Sequence, residues 1–126
     1  MERTATDSSL RILRREDSLS SRQYHGVCVR VVYKWDGLEI LRTEMDPGAV
    51  LADRDIENLS VLHVVVGGSP AFCVANETNA LMPGDSIALP DGRHCRVSNP
   101  TSSRASILSF LVRSSETNKR SKDGAL

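Results

Sequence analysis

The stretch from Met82 to Pro100 constrains the fold more than any other part of the chain. Pro83-Gly84 and Pro90-Asp91-Gly92 are turn signals that bracket a short apolar segment, and a second segment runs from there to another turn at Asn99-Pro100. Turns at this spacing leave room for short strands only. The stretch therefore predicts antiparallel strands joined by tight turns.

More strands are predicted on both sides of this stretch. Residues 26–33 are rich in β-branched side chains, and Asp36-Gly37 separates them from a second run, Leu38 to Met45. Asp-Gly between two apolar runs favours a hairpin, because both turn residues tolerate positive φ. Further strands are predicted at residues 61–66, 71–75 and 105–112, a loop at residues 14–22 and a turn at residues 76–79. No helical periodicity of useful length is present, so we expect an all-β fold.

The turn pattern resembles the signature motifs of the cupin family. Residues 83–99 are similar to the second motif, which has Pro-Gly-Asp, a strand, Pro-x-Gly, an inward ligand and then Asn. The region after Asp46-Pro47-Gly48 is similar to the first motif, whose final glycine falls on Gly67 or Gly68. The resemblance covers about residues 45–112. It implies a cupin-type jelly-roll β-barrel, in which family members bind a metal through inward histidines.

The same resemblance implies that the family's metal site is degenerate here. The histidine positions of the first motif fall on residues 54–57, which include no histidine, and the glutamate position falls on Ser60 or Val61. In the second motif Cys95, not His94, occupies the ligand position. Because side chains on a strand alternate between faces, His94 is expected to point outward or to lie at the rim.

An imidazole and a thiol are the groups expected inside the barrel. His63 faces inward if Val61 does, and Cys95 takes the place of the family's inward ligand. The residues predicted to bind a ligand are His63, Cys95, Val61, Val65 and Val97, with Phe72 or Cys73 as a further wall residue. No cofactor is expected. If a divalent metal were retained, its ligands would be Asp55, Glu57, His63 and Cys95, a set that mixes hard oxygen with soft sulfur.

Composition indicates the number of domains, the kinds of partner and the cellular compartment to expect. The 126 residues suggest one domain, with residues 1–9 loose, residues 10–113 forming the barrel and residues 114–126 a disordered tail. Sixteen basic and sixteen acidic residues give a formal charge of zero, which argues against nucleic acid and anionic membranes as partners. Three cysteines without a Cys-x-x-Cys pair, and no apolar leader, favour reduced thiols in the cytoplasm.

Two function classes follow. The first is a metal-free cupin-like barrel that binds or senses a small molecule in its interior, which the missing histidines favour. The second is a cupin-type enzyme, either metal-dependent with atypical ligands or metal-free and isomerase-like with His63 as general base; a purely structural role is a third, weaker reading. Catalytic residues are not assigned.

A homodimer is expected, because residues 61–66 and 105–112 are apolar on both strand faces. Cupin-like barrels commonly pair through such faces, often by exchanging an N-terminal strand, for which residues 10–13 are the candidate. These residues are also interpreted as an edge strand or a short pairing arm.

Overall fold

A computed structural model describes residues 10–52, 59–90 and 93–113. The predicted loose N-terminus and disordered C-terminal tail lie outside these ranges. The described residues form ten strands and no helix, as the all-β prediction required. The strands are β1 (Ser20–Tyr24), β2 (Val27–Trp35), β3 (Leu38–Met45), β4 (Val50–Leu51), β5 (Leu59–Gly67), β6 (Ala71–Val74), β7 (Glu77–Ala80), β8 (Ser86–Leu89), β9 (Arg96–Ser98) and β10 (Ala105–Arg113). No helix long and apolar enough to cross a membrane occurs among the described residues.

The strands build two antiparallel sheets of unequal width. One sheet has six strands in the order β1-β2-β3-β10-β5-β8, and the other has four in the order β4-β9-β6-β7. Their facing sides enclose a core that includes Val27, Met45, Phe72, Ala105 and Ile107, each at most 2% exposed. The fold is a jelly-roll barrel, in agreement with the prediction.

The turns predicted at Asp36-Gly37 and Pro83-Gly84 have the expected positive φ at glycine, whereas residues 91 and 92 of the Pro90-Asp91-Gly92 turn lie outside the described residues. Asp36 and Gly37 have φ of 32° and 88° and join β2 to β3. Gly68, at the end of β5, has a φ of 73°, and a Cβ built there would lie 2.5 Å from the carbonyl oxygen of Arg104. Gly68 is therefore the glycine that the close approach of the chain before β10 requires.

Asn99 ties together the turns at one end of the barrel. It is fully buried, and its side-chain Nδ2 is directed at the carbonyl oxygens of Met45, Asp46 and Ser103, at 3.1, 3.2 and 2.8 Å. Its Oδ1 accepts a hydrogen bond of 2.8 Å from the Thr101 hydroxyl. One amide thus satisfies backbone groups from two separate turns, which fixes this end of the barrel.

Two segments differ from the sequence predictions. Residues 20–22 fall in the predicted loop but begin strand β1, which pairs with β2 from Ser20↔Val31 to Tyr24↔Val27. β1 is an edge strand held by ladder hydrogen bonds, so its polar sequence carries little hydrophobic signal. The turn predicted at residues 76–79 is instead at Ala75-Asn76, both with positive φ, and residues 77–80 form β7.

Residues 10–13 form no strand in the part of the chain that the structure describes. They belong to a segment, residues 10–19, that leads into β1. Leu10 and Ile12 are 73% and 60% exposed. Their exchange with a second chain stays a prediction.

Candidate functional site

The register of the six-stranded sheet arranges its inward side chains in layers, because directly opposed residues of antiparallel strands project to the same face. Three layers lie at the site, and the lowest of them includes the core residues Val29, Ile107 and Val65. The upper layer runs from β2 to β8 through Lys34, Glu39, Leu111, Val61 and Leu89. The middle layer runs from β1 to β5 through Ser20, Val31, Leu41, Ser109 and His63. The lower layer runs from β1 to β5 through Arg22, Val29, Thr43, Ile107 and Val65.

A cavity of about 410 Å³ opens between these layers and the smaller sheet. Its wall on that side includes Leu51, Cys95 and Val97, and no described residue of β6 or β7 takes part. The cavity therefore lies toward the β1 side of the barrel. Its volume falls in the range of roughly 300–1,000 Å³ that small-molecule sites occupy.

Four of the five residues predicted to bind a ligand line this cavity: His63, Cys95, Val61 and Val97. The fifth, Val65, is 1% exposed and belongs to the packed core, so it is not part of the cavity wall. Val65 lies in the lower layer, one layer below His63, and is therefore packed into the core instead of lining the cavity.

The neighbours of the predicted site residues are also placed. Phe72 is fully buried, and its ring centroid lies 5.4 Å from that of His63, so it supports the imidazole from the core side. His94 is exposed and is not in the cavity wall. Cys73 neighbours Phe72 on β6 and is also outside the wall.

His63 is held in the cavity as a neutral group. Its Nδ1 lies 2.7 Å from the Ser109 hydroxyl oxygen. Burial lowers the pKa of His63 to about 4, because desolvation disfavours the imidazolium. The ring is therefore uncharged at pH 7. With Nδ1 paired to Ser109, the remaining nitrogen, Nε2, donates or accepts according to which tautomer that pairing selects.

Sequence reasoning missed several polar residues in the cavity wall, among them Ser109, Thr43 and Arg22. Ser109 has the same parity as Ile107 and Leu111 on β10, so strand alternation was a usable signal. Thr43 is 5% exposed, and its hydroxyl has no hydrogen-bond partner among the described residues. Arg22 was hidden because its strand was predicted as a loop.

A β-bulge adds a charge that strict alternation would not place there. The register of β2 against β3 shifts between Val31 and Tyr33, so Lys34 and not Tyr33 faces the cavity. Lys34 is directly opposite Glu39 across the hairpin. These two opposite charges lie at the β2–β3 end of the upper layer.

The structure describes only two of the four residues predicted as ligands of an alternative metal site. His63 and Cys95 both line the cavity, whereas Asp55 and Glu57 lie outside the described residues. Within the described ranges, no three histidine, cysteine or acidic side chains come together in a way that could hold a metal ion. One imidazole and one thiol are not by themselves a closed ligand set.

Comparison with known proteins places the fold. No family model matches the chain, and no curated protein matches it. Solved structures match at low identity. One is a cupin conserved-barrel domain protein from Salinispora arenicola, with 16% identity, a TM-score of 0.70 and coverage of 92% of this chain and 97% of that one.

Two other solved structures come from different functional settings. The cupin domain of an XRE family transcriptional regulator from Enterobacter cloacae has 17% identity, a TM-score of 0.68 and coverage of 72% of this chain and all of that one. A sugar phosphate isomerase of the cupin superfamily from Silicibacter pomeroyi has 18% identity, a TM-score of 0.64 and coverage of 75% and 69%. The shared feature is the barrel, and these similar folds include both a regulator and an enzyme.

Proposed function

We propose that this chain, which has the cupin fold, binds a small organic molecule in the cavity beside His63. The observation that carries the proposal is the cavity of about 410 Å³, with its neutral imidazole held by Ser109. Its wall combines apolar side chains with a few fixed polar groups, which is the usual make-up of a small-molecule site. Cys95, Val61 and Val97 are proposed to contact the ligand from the remaining sides.

Amide chemical shifts of isotope-labelled protein, recorded against a panel of polar metabolites, test this proposal. We expect at least one compound to shift the amides of His63, Ser109 and Val97. The variant His63→Ala should bind that compound about tenfold more weakly, the effect of losing one good hydrogen bond. His25→Ala is the matched control, because His25 is exposed and outside the cavity wall. If no compound shifts these amides, or if His63→Ala binds as the wild type does, the proposal is wrong.

Catalysis by His63 is the second candidate, favoured by its place in the cavity wall and by an Nε2 that has no hydrogen-bond partner among the described residues. A neutral imidazole can take a proton from a carbon acid, but a pKa near 4 makes it a weak base. Binding is therefore the first proposal. The two are separated by incubating the bound compound in deuterated water, since exchange of a C–H proton in the wild type and not in His63→Ala would establish the enzyme.

We also propose a cytoplasmic location. Cys28, Cys73 and Cys95 are not joined by disulfide bonds. Cysteines outside disulfides are typical of proteins in reducing compartments.

A further inference from the structure

We infer that the ligand is a small monoanion whose charged group pairs with Arg22 and whose second, uncharged polar group hydrogen-bonds to Thr43. The inference rests on the proposed function, since it concerns the occupant of the same cavity. It is carried by a buried hydroxyl and a guanidinium that have no partner among the described residues, and by the distribution of charge in the described part of the wall.

The Thr43 hydroxyl is the first observation. The side chain lines the cavity and is 5% exposed, yet its hydroxyl makes no hydrogen bond to any residue in the described ranges. A buried hydroxyl without a partner costs about 1–3 kcal/mol. Valine would fill the same volume without that penalty. A hydrogen-bonding group delivered by a ligand accounts for a threonine at this position.

Arg22 is the second observation. It is opposite the buried Val29 on β2, so its side chain starts from the inward face of β1. In the described part of the wall, the cations are Arg22 and Lys34 and the single carboxylate is Glu39. Glu39 is directly across from Lys34, whereas Arg22 has no ion pair or hydrogen bond with the described residues. Among its described residues, the wall therefore offers one uncompensated positive charge.

The polar groups farther inside the barrel decide which end of the ligand is charged. His63, Ser109 and Thr43 are all uncharged and largely or fully buried. An ionised group placed among them would lose its hydration without gaining an opposite charge, which is strongly unfavourable. The anionic end is therefore expected at the exposed Arg22, and the uncharged end beside Thr43 and His63.

The strand order sets the separation of the two ends. Arg22 and Thr43 belong to the same layer, on β1 and β3, with β2 between them. Two strand spacings put their Cα atoms roughly 10 Å apart. A carboxylate with a hydroxyl at the far end of a short carbon chain fits this spacing, with its methylene groups against Val29 and Val31.

The test uses 4-hydroxybutanoate, 6-hydroxyhexanoate and 8-hydroxyoctanoate, each with its uncharged primary amide, and hexanoate as the compound without the hydroxyl. Binding is measured by amide shift titration on the intact chain. We expect the hydroxycarboxylate of best length to bind at least tenfold more tightly than its amide. Arg22→Gln should remove this preference, whereas Arg96→Gln should not, because Arg96 is an exposed arginine outside the cavity wall.

The variant Thr43→Val is an independent test of the hydroxyl contact. It should weaken 6-hydroxyhexanoate severalfold and leave hexanoate unchanged, while the free protein unfolds at an equal or higher temperature because the unpaired hydroxyl is gone. Amides that bind as well as the carboxylates would overturn the inference and leave the proposed function standing. An Arg22→Gln variant that keeps the preference would also overturn it. If neither acids nor amides shift the cavity residues, but another compound does, the inference fails alone; if nothing binds there, both proposals fail.

Discussion

At the scale of single residues, the burial of His63 makes the free energy of unfolding depend on pH. Its pKa is about 4 in the folded chain, below the ordinary 6.5, so the unfolded chain binds the proton more readily. This contribution to stability is complete above pH 6.5 and is lost as the pH falls from there toward 4. Between pH 7 and pH 5 the wild type should lose about 2 kcal/mol more than His63→Gln, measured by urea unfolding. Equal losses in the two proteins would mean that His63 is not desolvated.

The next prediction concerns the metal content of the protein. The purified protein should contain no stoichiometric iron, nickel, manganese or zinc, because the positions that carry imidazoles in the cupin motif are residues 54–57, none of which is a histidine. Elemental analysis is the measurement. Close to one equivalent of metal, lost in Cys95→Ser, would contradict the prediction and favour the enzyme.

At the scale of elements, Glu44 holds the segment of residues 10–19 against the outer face of the six-stranded sheet. Its carboxylate accepts hydrogen bonds from Arg15 Nε at 3.1 Å and Arg30 Nη1 at 3.4 Å, and Arg42 donates to the Arg15 carbonyl. Burial on its own raises the pKa of Glu44. The hydrogen bond and charge of Arg15, the hydrogen bond of Arg30 and the charge of Arg104 together outweigh burial and hold the pKa of Glu44 below its ordinary value. The contact therefore weakens as the pH falls through that lowered value.

Glu44→Gln should therefore release this segment. The expected result is that trypsin cleaves after Arg14 or Arg15 severalfold faster, while the chain from residue 16 onward stays intact. Glu39→Gln is the matched control, since Glu39 is on the same strand but faces the cavity. Equal cleavage rates in the wild type and both variants would show that the ion pair does not hold the segment.

The elements also show what the sequence can and cannot predict. The Asp36-Gly37 hairpin and the Pro-Gly turns were predictable, because positive φ strongly limits which residues are allowed. Strand alternation predicted an inward His63, and the resemblance to the second cupin motif predicted an inward Cys95; both line the cavity. The edge strand β1 and the bulge after Val31 were not predictable, since both depend on ladder pairing with neighbouring strands and not on local composition. The charged part of the cavity, Arg22 and Lys34, comes from these two features.

At the scale of the whole molecule, the outer face of the six-stranded sheet predicts a homodimer. Its outward layers carry Tyr33, Trp35, Leu62, Phe110 and Val112 with no charge between them. Trp35 is 67% exposed, and Tyr33 and Val112 are each 45% exposed. Apolar patches larger than several hundred Å² are rare on monomers, and a standard interface takes about 800 Å² from each partner.

Light scattering at micromolar concentration should therefore give the mass of a dimer. Leu62→Arg should shift the protein to a monomer with unchanged circular dichroism, because it puts a charge in this apolar patch. Val50→Arg, a matched change at an exposed apolar residue on the other sheet, should leave the dimer intact. A wild-type monomer under these conditions would contradict the prediction.

The unequal width of the two sheets has a consequence for how such a chain can diversify. The two sheets have six and four strands. At the end of the barrel where Asn99 lies, substitutions are poorly tolerated, because one amide side chain hydrogen-bonds to two turns. The edge strand β1 and the later part of β2, with Val31 and Lys34, by contrast contribute cavity residues but no member of the buried core cluster. Ligand preference can therefore change through single substitutions on β1 and β2, and a new specificity need not begin with a new scaffold.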